Sequence, residues 1–194
     1  MTGLQPALGA GFGCGTIVGM DSLRPRRSVL FMPGANARAL EKARSIDCDG
    51  IIIDLEDAVA PDLKVEARER AAGVVKEHPY GYREVAIRVN GMDTQWYHDD
   101  LAAAVAAGPD AIAVPKVGSA EHVHAIVADM EGAGADESVK LWAMIETPRA
   151  VLDCLDIAEA SDRLTVLIMG TNDLTKELRA SHLAGRAAVG RALA

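Results

Sequence analysis

Six short apolar runs without internal polar alternation recur along the chain, at residues 28–33, 50–55, 85–89, 111–114, 141–145 and 164–169. A strand with one face in water alternates apolar and polar residues, whereas a strand buried on both faces does not. The runs are rich in Val, Ile, Leu and Met, so they read as strands of a parallel sheet. Helical patterns fill the intervals, over 35–45, 63–77, 96–107, 120–132, 147–160 and 174–180. Turn chemistry at Pro33-Gly34, His78-Pro79, Gly108-Pro109 and Gly132-Ala133-Gly134 separates the elements. Gly118-Ser119 followed by Glu121 marks a helix start.

Six βα units in succession confine the fold to the α/β class, as a doubly wound sheet or a (β/α)8 barrel. No glycine fingerprint follows the first run, which argues against a Rossmann domain. A (β/α)8 barrel uses eight strands and typically about 250 residues. With 194 residues, the chain is expected to supply about six of the eight units of a TIM-type barrel, with 181–194 as one more helix. Residues 1–22 are expected to be a flexible leader and 23–194 the barrel domain, because the first 19 residues carry no charge and are rich in Gly and Ala. That opening stretch lacks the basic region of a secretory signal, and its glycines lack a preceding strand and a Walker lysine.

Composition removes several classes of function. A formal net charge of −8 leaves no electrostatic footprint for nucleic acid. Cys14, Cys48 and Cys154 are odd in number and far apart, so neither a disulfide framework nor a CxxC metal site is available and a reducing cytoplasm is expected. No apolar run approaches the roughly 20 residues of a membrane span. The histidines give no metal pair, and no serine sits in a Gly-x-Ser-x-Gly elbow.

Chemistry-bearing residues cluster instead at the carboxyl ends of the runs, where α/β proteins build their sites. Glu146 closes one run and Asp173 follows the next, a pair suited to one hard divalent cation but equally to caps or ion pairs. Asp54, Glu56 and Asp57 repel one another unless a cation or arginines compensate; helix-capping acids are the alternative. Arg88, inside an apolar run, is either a fork for a substrate carboxylate or half of a buried ion pair. Lys116 reads as an anion contact, a Schiff-base lysine or a solvated side chain.

In order along the chain stand Arg27-Ser28-Val29-Leu30-Phe31-Met32-Pro33-Gly34, then Asp54-Leu55-Glu56-Asp57-Ala58-Val59 with Lys64 and Ala67-Arg68. Arg88-Val89-Asn90-Gly91, Pro115-Lys116, Met144-Ile145-Glu146-Thr147-Pro148 and Gly170-Thr171-Asn172-Asp173-Leu174 follow. Together these motifs resemble the citrate lyase beta-subunit-like family within the HpcH/HpaI aldolase group. The resemblance implies a (β/α)8 barrel that cleaves or forms a carbon–carbon bond in acyl-CoA hydroxyacids such as citryl-CoA, malyl-CoA or citramalyl-CoA. It implies Mg2+ held by Glu146 and Asp173, and catalytic positions at Arg88, Glu56 and Asp57, the two acids ordering metal-bound water. It also implies substrate contacts from Arg27, Arg88, Glu146, Gly170, Thr171 and Asn172, with Arg27 reaching towards substrate or CoA phosphate. The implied partners are a 2-oxo acid and an acyl-CoA thioester, in a homo-oligomer.

Family members continue for two further βα units and a segment that closes the site and carries an acidic base. The expectation is therefore a C-terminally shortened lyase domain that holds the metal half of the site. Two alternatives accompany it: a pyruvate-type class II aldolase acting on a non-CoA 2-oxo acid, and a catalytically silent homologue or partner subunit.

Overall fold

The computed structural model describes residues 24–77 and 79–194. The expected leader at 1–22, and His78 of the His78-Pro79 turn, lie outside the described residues. Among the described residues six strands form one sheet: β1 (Val29–Pro33), β2 (Gly50–Asp54), β3 (Glu84–Arg88), β4 (Ala111–Val114), β5 (Lys140–Ile145) and β6 (Leu164–Met169). Their spatial order is β1-β2-β3-β4-β5-β6 and every pairing is parallel. A doubly wound sheet reverses its strand order part-way; this one does not. Among the described residues β1 pairs only with β2 and β6 only with β5.

Both faces of the central strands are buried, as the lack of alternation requires. Ile51, Ile53, Ile87, Ile112, Val114, Leu141 and Ile145 join the helices in the main core. The opposite face holds Ile52, Ala86, Ala111, Ala113 and Trp142, where three alanines make room for one indole. Each fully buried Ile or Leu contributes roughly 1.5–3 kcal/mol relative to an exposed one, so this two-sided burial is what holds the sheet.

The helices are α1 (Ala37–Ala43), α2 (Lys64–Lys76), α3 (Tyr97–Ala107), α4 (Ala120–Gly132), α5 (Pro148–Leu152), α6 (Cys154–Glu159) and α7 (Thr171–Glu177). Ser119 caps α4 by accepting from the His122 N–H, and Gly108 ends α3 in the left-handed region at φ 67°. Three expectations are corrected. The helix at 147–160 breaks at Asp153, whose backbone (φ −93°, ψ 14°) leaves the helical region. The helix at 174–180 begins earlier, at Thr171, and stops before Arg179, whose φ is 52°. The tail 181–194 holds only a 3-10 turn, Ala187–Val189, because Arg186 also sits at φ 52°, a conformation that interrupts a right-handed helix.

Candidate active site

Parallel register builds the site. Asp54 ends β2 and Arg88 ends β3, and the two are direct partners across the ladder, so their side chains leave the sheet on the same face. The result is a bidentate pair: Arg88 Nε donates to Asp54 Oδ1 at 2.7 Å and Nη2 to Oδ2 at 2.6 Å. Asp54 also accepts the backbone N–H groups of Glu56 (2.8 Å) and Ala58 (3.1 Å), which folds the acidic loop over it. The third edge of the guanidinium, Nη1, lies 2.8 Å from Glu56 Oε2 and 4.0 Å from Asp57 Oδ2. Glu56 Oε2 is buried without an aligned donor, so its contact with Arg88 is Coulombic rather than a hydrogen bond. Burial alone would lower the proton affinity of Arg88, but the Asp54 hydrogen bonds and the charges of Asp54 and Glu56 outweigh it.

Of the two sequence readings of Arg88, the geometry matches the buried ion pair. Two of its three nitrogens are committed to Asp54, and the Phe31 ring lies 5.1 Å from its guanidinium carbon. Arg88 nevertheless lines the cavity, so it offers a fixed positive edge rather than a mobile fork.

Across the cavity, Glu146 follows the last residue of β5 and Gly170 follows the last residue of β6. Ile145 and Met169 are ladder partners, and the Gly170 N–H donates to the Ile145 carbonyl at 3.0 Å. This brings the Glu146 carboxyl against the Gly170 backbone, where any Cβ would overlap it. Gly170 is thus required by close approach, a role distinct from the expected substrate contact. The backbone N–H of Lys116 donates to Glu146 Oε2 at 3.1 Å, with Lys116 held at φ 56°. A left-handed lysine is a strained choice, and such strain concentrates at functional sites. The Lys116 side chain itself is exposed, as its solvated reading has it.

Glu146 is only 3% exposed. Burial, the neighbouring charge of Glu56 and the charge of Asp173 push its carboxyl up to about 7, against the pull of the Lys116 N–H. Glu56 is also raised, by burial first, with Arg88 opposing.

These groups surround one cavity of about 450 Å³ at the carboxyl ends of the strands. Asp54, Asp57, Glu146 and Asp173 supply acids, Phe31, Met144, Ile168 and Met169 an apolar wall, and Gly170-Thr171-Asn172 the floor at the start of α7. The structure therefore brings together every expected site residue except Arg27, with Glu56 reaching it through Arg88. Arg27 precedes β1, so it lies at the opposite end of the sheet, where it is ion-paired with Asp49 at 2.7 Å. Its expected reach to substrate is corrected accordingly. A hollow of about 260 Å³ at that end is lined by Arg24, which pairs with Asp110, and by Arg83, which donates to the Ile46 and Tyr80 carbonyls.

The acids fit a particular kind of metal. Among the described residues, no group of three or more His, Cys, Asp or Glu side chains forms a ready-made cage. Two carboxylates opening on one cavity, one of them raised partly by the other's charge, suit an ion that keeps water and substrate in its sphere. Mg2+ has that habit.

A family model described as HpcH/HpaI aldolase/citrate lyase matches residues 27–194. The chain belongs to that family. A (3S)-malyl-CoA thioesterase of Cereibacter sphaeroides is 50% identical over 154 residues, covering 79% of this chain and 52% of the relative. Citrate lyase subunit beta of Leuconostoc mesenteroides subsp. cremoris is 33% identical over 165 residues, covering 82% of this chain and 55% of the relative. The chain spans little more than half the length of these curated relatives. Among solved structures, the citrate lyase beta subunit of M. tuberculosis complexed with oxaloacetate and magnesium superposes with a TM-score of 0.65 at 28% identity. That likeness covers 84% of this chain and 68% of the other.

Proposed function

We propose that the chain carries the metal and oxo-acid half of a Mg2+-dependent carbon–carbon lyase acting on an acyl-CoA hydroxyacid. The observation that carries this reading is the meeting of Glu146 and Asp173 in one cavity that Arg88 also lines. Its sequential parallel sheet is read as part of a (β/α)8 barrel, in keeping with the likeness to the M. tuberculosis subunit. Magnesium and oxaloacetate bound to that relative support the ligand class.

Glu146 and Asp173 would hold Mg2+, which when bound supplies Lewis-acid polarisation of the oxygen at C2 of the substrate. The remaining work falls to the chain. Arg88, locked by Asp54, sets a positive edge beside the substrate carboxylate without having to reorganise. Glu56 and Asp57, at the rim of that edge, order water. Phe31, Met144, Ile168 and Met169 keep water from the carbon–carbon bond that breaks. In cleavage the C2 hydroxyl of malyl-CoA gives up its proton, the C2–C3 bond breaks to a 2-oxo acid, glyoxylate, and the acyl-CoA enolate, and the enolate takes up a proton to become acetyl-CoA.

A second reading, thioester hydrolysis, is favoured by the name of the relative at 50% identity, a malyl-CoA thioesterase. The products decide. Incubation of malyl-CoA with the chain and Mg2+ should yield glyoxylate without free thiol if the lyase reading holds. Free CoA and malate would establish hydrolysis instead. Turnover of 4-hydroxy-2-oxo acids in place of malyl-CoA would point to an aldolase, and no turnover of either would overturn the lyase reading for this chain.

A further inference from the structure

Beneath the acidic loop lies a lysine that none of the site chemistry above uses. Lys64, the first residue of α2, is 5% exposed and points inward. An ammonium group has three donors and no acceptor, and here all of them are spent: on the Leu55 carbonyl at 2.8 Å, the Glu56 carbonyl at 2.8 Å and Asn90 Oδ1 at 2.7 Å. Asn90 follows β3 two residues after Arg88. Its Nδ2 returns to the Leu55 carbonyl at 3.1 Å, and its backbone N–H donates to Asp100 Oδ2 at 3.1 Å. Asp100, fully buried on α3, is held in turn by Arg68 Nε at 2.7 Å. One ammonium thereby ties the loop after β2 to the loop after β3.

We propose that Lys64 is a positioning residue for the acidic loop, acting on the cavity through Glu56 and Asp54 rather than by touching substrate. The geometry explains why a cation is needed there. With Lys64 drawing the Leu55 carbonyl downward, the Glu56 N–H of the same peptide plane turns upward onto Asp54, and the second tie at the Glu56 carbonyl holds the loop where the Ala58 N–H also reaches Asp54. Asp54 so fixed keeps both oxygens on Arg88, and Glu56 stays against Nη1. Removal of the ammonium takes one donor from each of the two carbonyls, leaving Leu55 with the Asn90 amide and Glu56 with the Val59 N–H. It also takes from Asn90 Oδ1 its donor at 2.7 Å, so the tie between the two loops is lost and the acidic loop reorganises. Lys64 does not touch Glu146 or Asp173, so the cation site itself should stay intact. For the substrate half of the argument this inference rests on the reading under Proposed function.

The test uses the full 194-residue chain, as wild type, Lys64→Met and Lys64→Arg. Amide hydrogen exchange is followed without ligand, and binding of Mg2+ alone and of pyruvate with Mg2+ is measured by calorimetry. In Lys64→Met the Glu56 and Ala58 amides should lose protection while the β3 and β4 amides keep theirs. Mg2+ affinity should hold and pyruvate affinity should fall roughly tenfold, the scale of a weakened charge-assisted contact to the substrate carboxylate. Lys64→Arg keeps the charge but cannot place three donors from one nitrogen, so it should lose part of both. If Lys64→Met does not fold, Lys64→Arg decides, and partial loss there supports the role. Wild-type protection of Glu56 and Ala58 in the variants overturns it. Equal loss of protection throughout the sheet, with Mg2+ affinity falling alongside, also overturns it by making Lys64 a general stabiliser. Absence of Mg2+ and pyruvate binding in the wild type would sink the lyase reading while the amide measurement still judged Lys64.

Discussion

Replacing Glu146 by Gln should make the metal-free protein more stable at neutral pH, although it removes a central group of the site. Glu146 is buried beside Glu56 and within the field of Asp173, and its carboxyl titrates at about 7 rather than the ordinary 4.5. Its proton affinity is higher folded than unfolded, so the folded state is favoured by protonation. Below pH 4.5 both states carry the proton and nothing is lost. Between 4.5 and 7 stability falls as pH rises, and above 7 the penalty is complete. A shift of that size corresponds to at most about 3 kcal/mol, and water in the open cavity screens part of it, leaving about 1–3 kcal/mol. Glutamine keeps an oxygen for the Lys116 N–H and carries no charge. Urea unfolding in EDTA should therefore place Glu146→Gln above wild type by about 1–3 kcal/mol at pH 7.5, with the two converging as the pH falls below 4.5. Saturating Mg2+ should reverse the order, because an ion at 100 times its Kd adds about 2.7 kcal/mol to the form that binds it. A Gln variant equal to or weaker than wild type at pH 7.5, or a gap that does not change with pH, would refute the reasoning.

Other substitutions probe the same geometry. Gly170→Ala drives a methyl group into the Glu146 carboxyl, so urea unfolding should show a loss of about 1–3 kcal/mol, and Mg2+ titration should show weakened binding. Asp54→Ala strands the Arg88 guanidinium in a buried site and should cost about 3–5 kcal/mol by the same assay, the usual effect of breaking a buried pair from one side. Trp142 is buried with an indole N–H that finds no partner among the described residues. Trp142→Phe should therefore stay within about 1 kcal/mol of wild type, since the lost contacts are offset by removing an orphan donor, whereas Trp142→Ala should lose about 3–5 kcal/mol.

Much of this arrangement was legible in the sequence, for identifiable reasons. Parallel strands buried on both faces announce themselves by lacking alternation, so all six runs fall within a residue or so of the observed strands. The start of β3 at Glu84 was hidden because a charge rarely opens a buried strand; Arg26 bridges it at 2.6 Å and explains the exception. Glu146, Asp173 and the acidic loop were visible because carboxylates at strand ends share one end of a parallel sheet. The same rule would have placed Arg27 correctly, since a residue before a strand lies at the opposite end from a residue after one. The partner of Arg88 was not legible, because choosing between a substrate and Asp54 needs the register of β2 against β3. The resemblance offered Gly170 only as a substrate contact, and its close approach was hidden because the carboxyl it accommodates belongs to the preceding strand's end. Lys64 and Asn90 were visible only as motif letters, since their hydrogen bonds join two loops across the fold.

The central claim is that Glu146 and Asp173 form a single divalent-cation site, and Mn2+ titration followed by electron paramagnetic resonance tests it most directly. Wild-type protein should bind one ion per chain, displaceable by Mg2+, and Glu146→Ala and Asp173→Ala should each abolish that binding while remaining folded. Unchanged Mn2+ binding in either variant, or none in the wild type, would contradict the account.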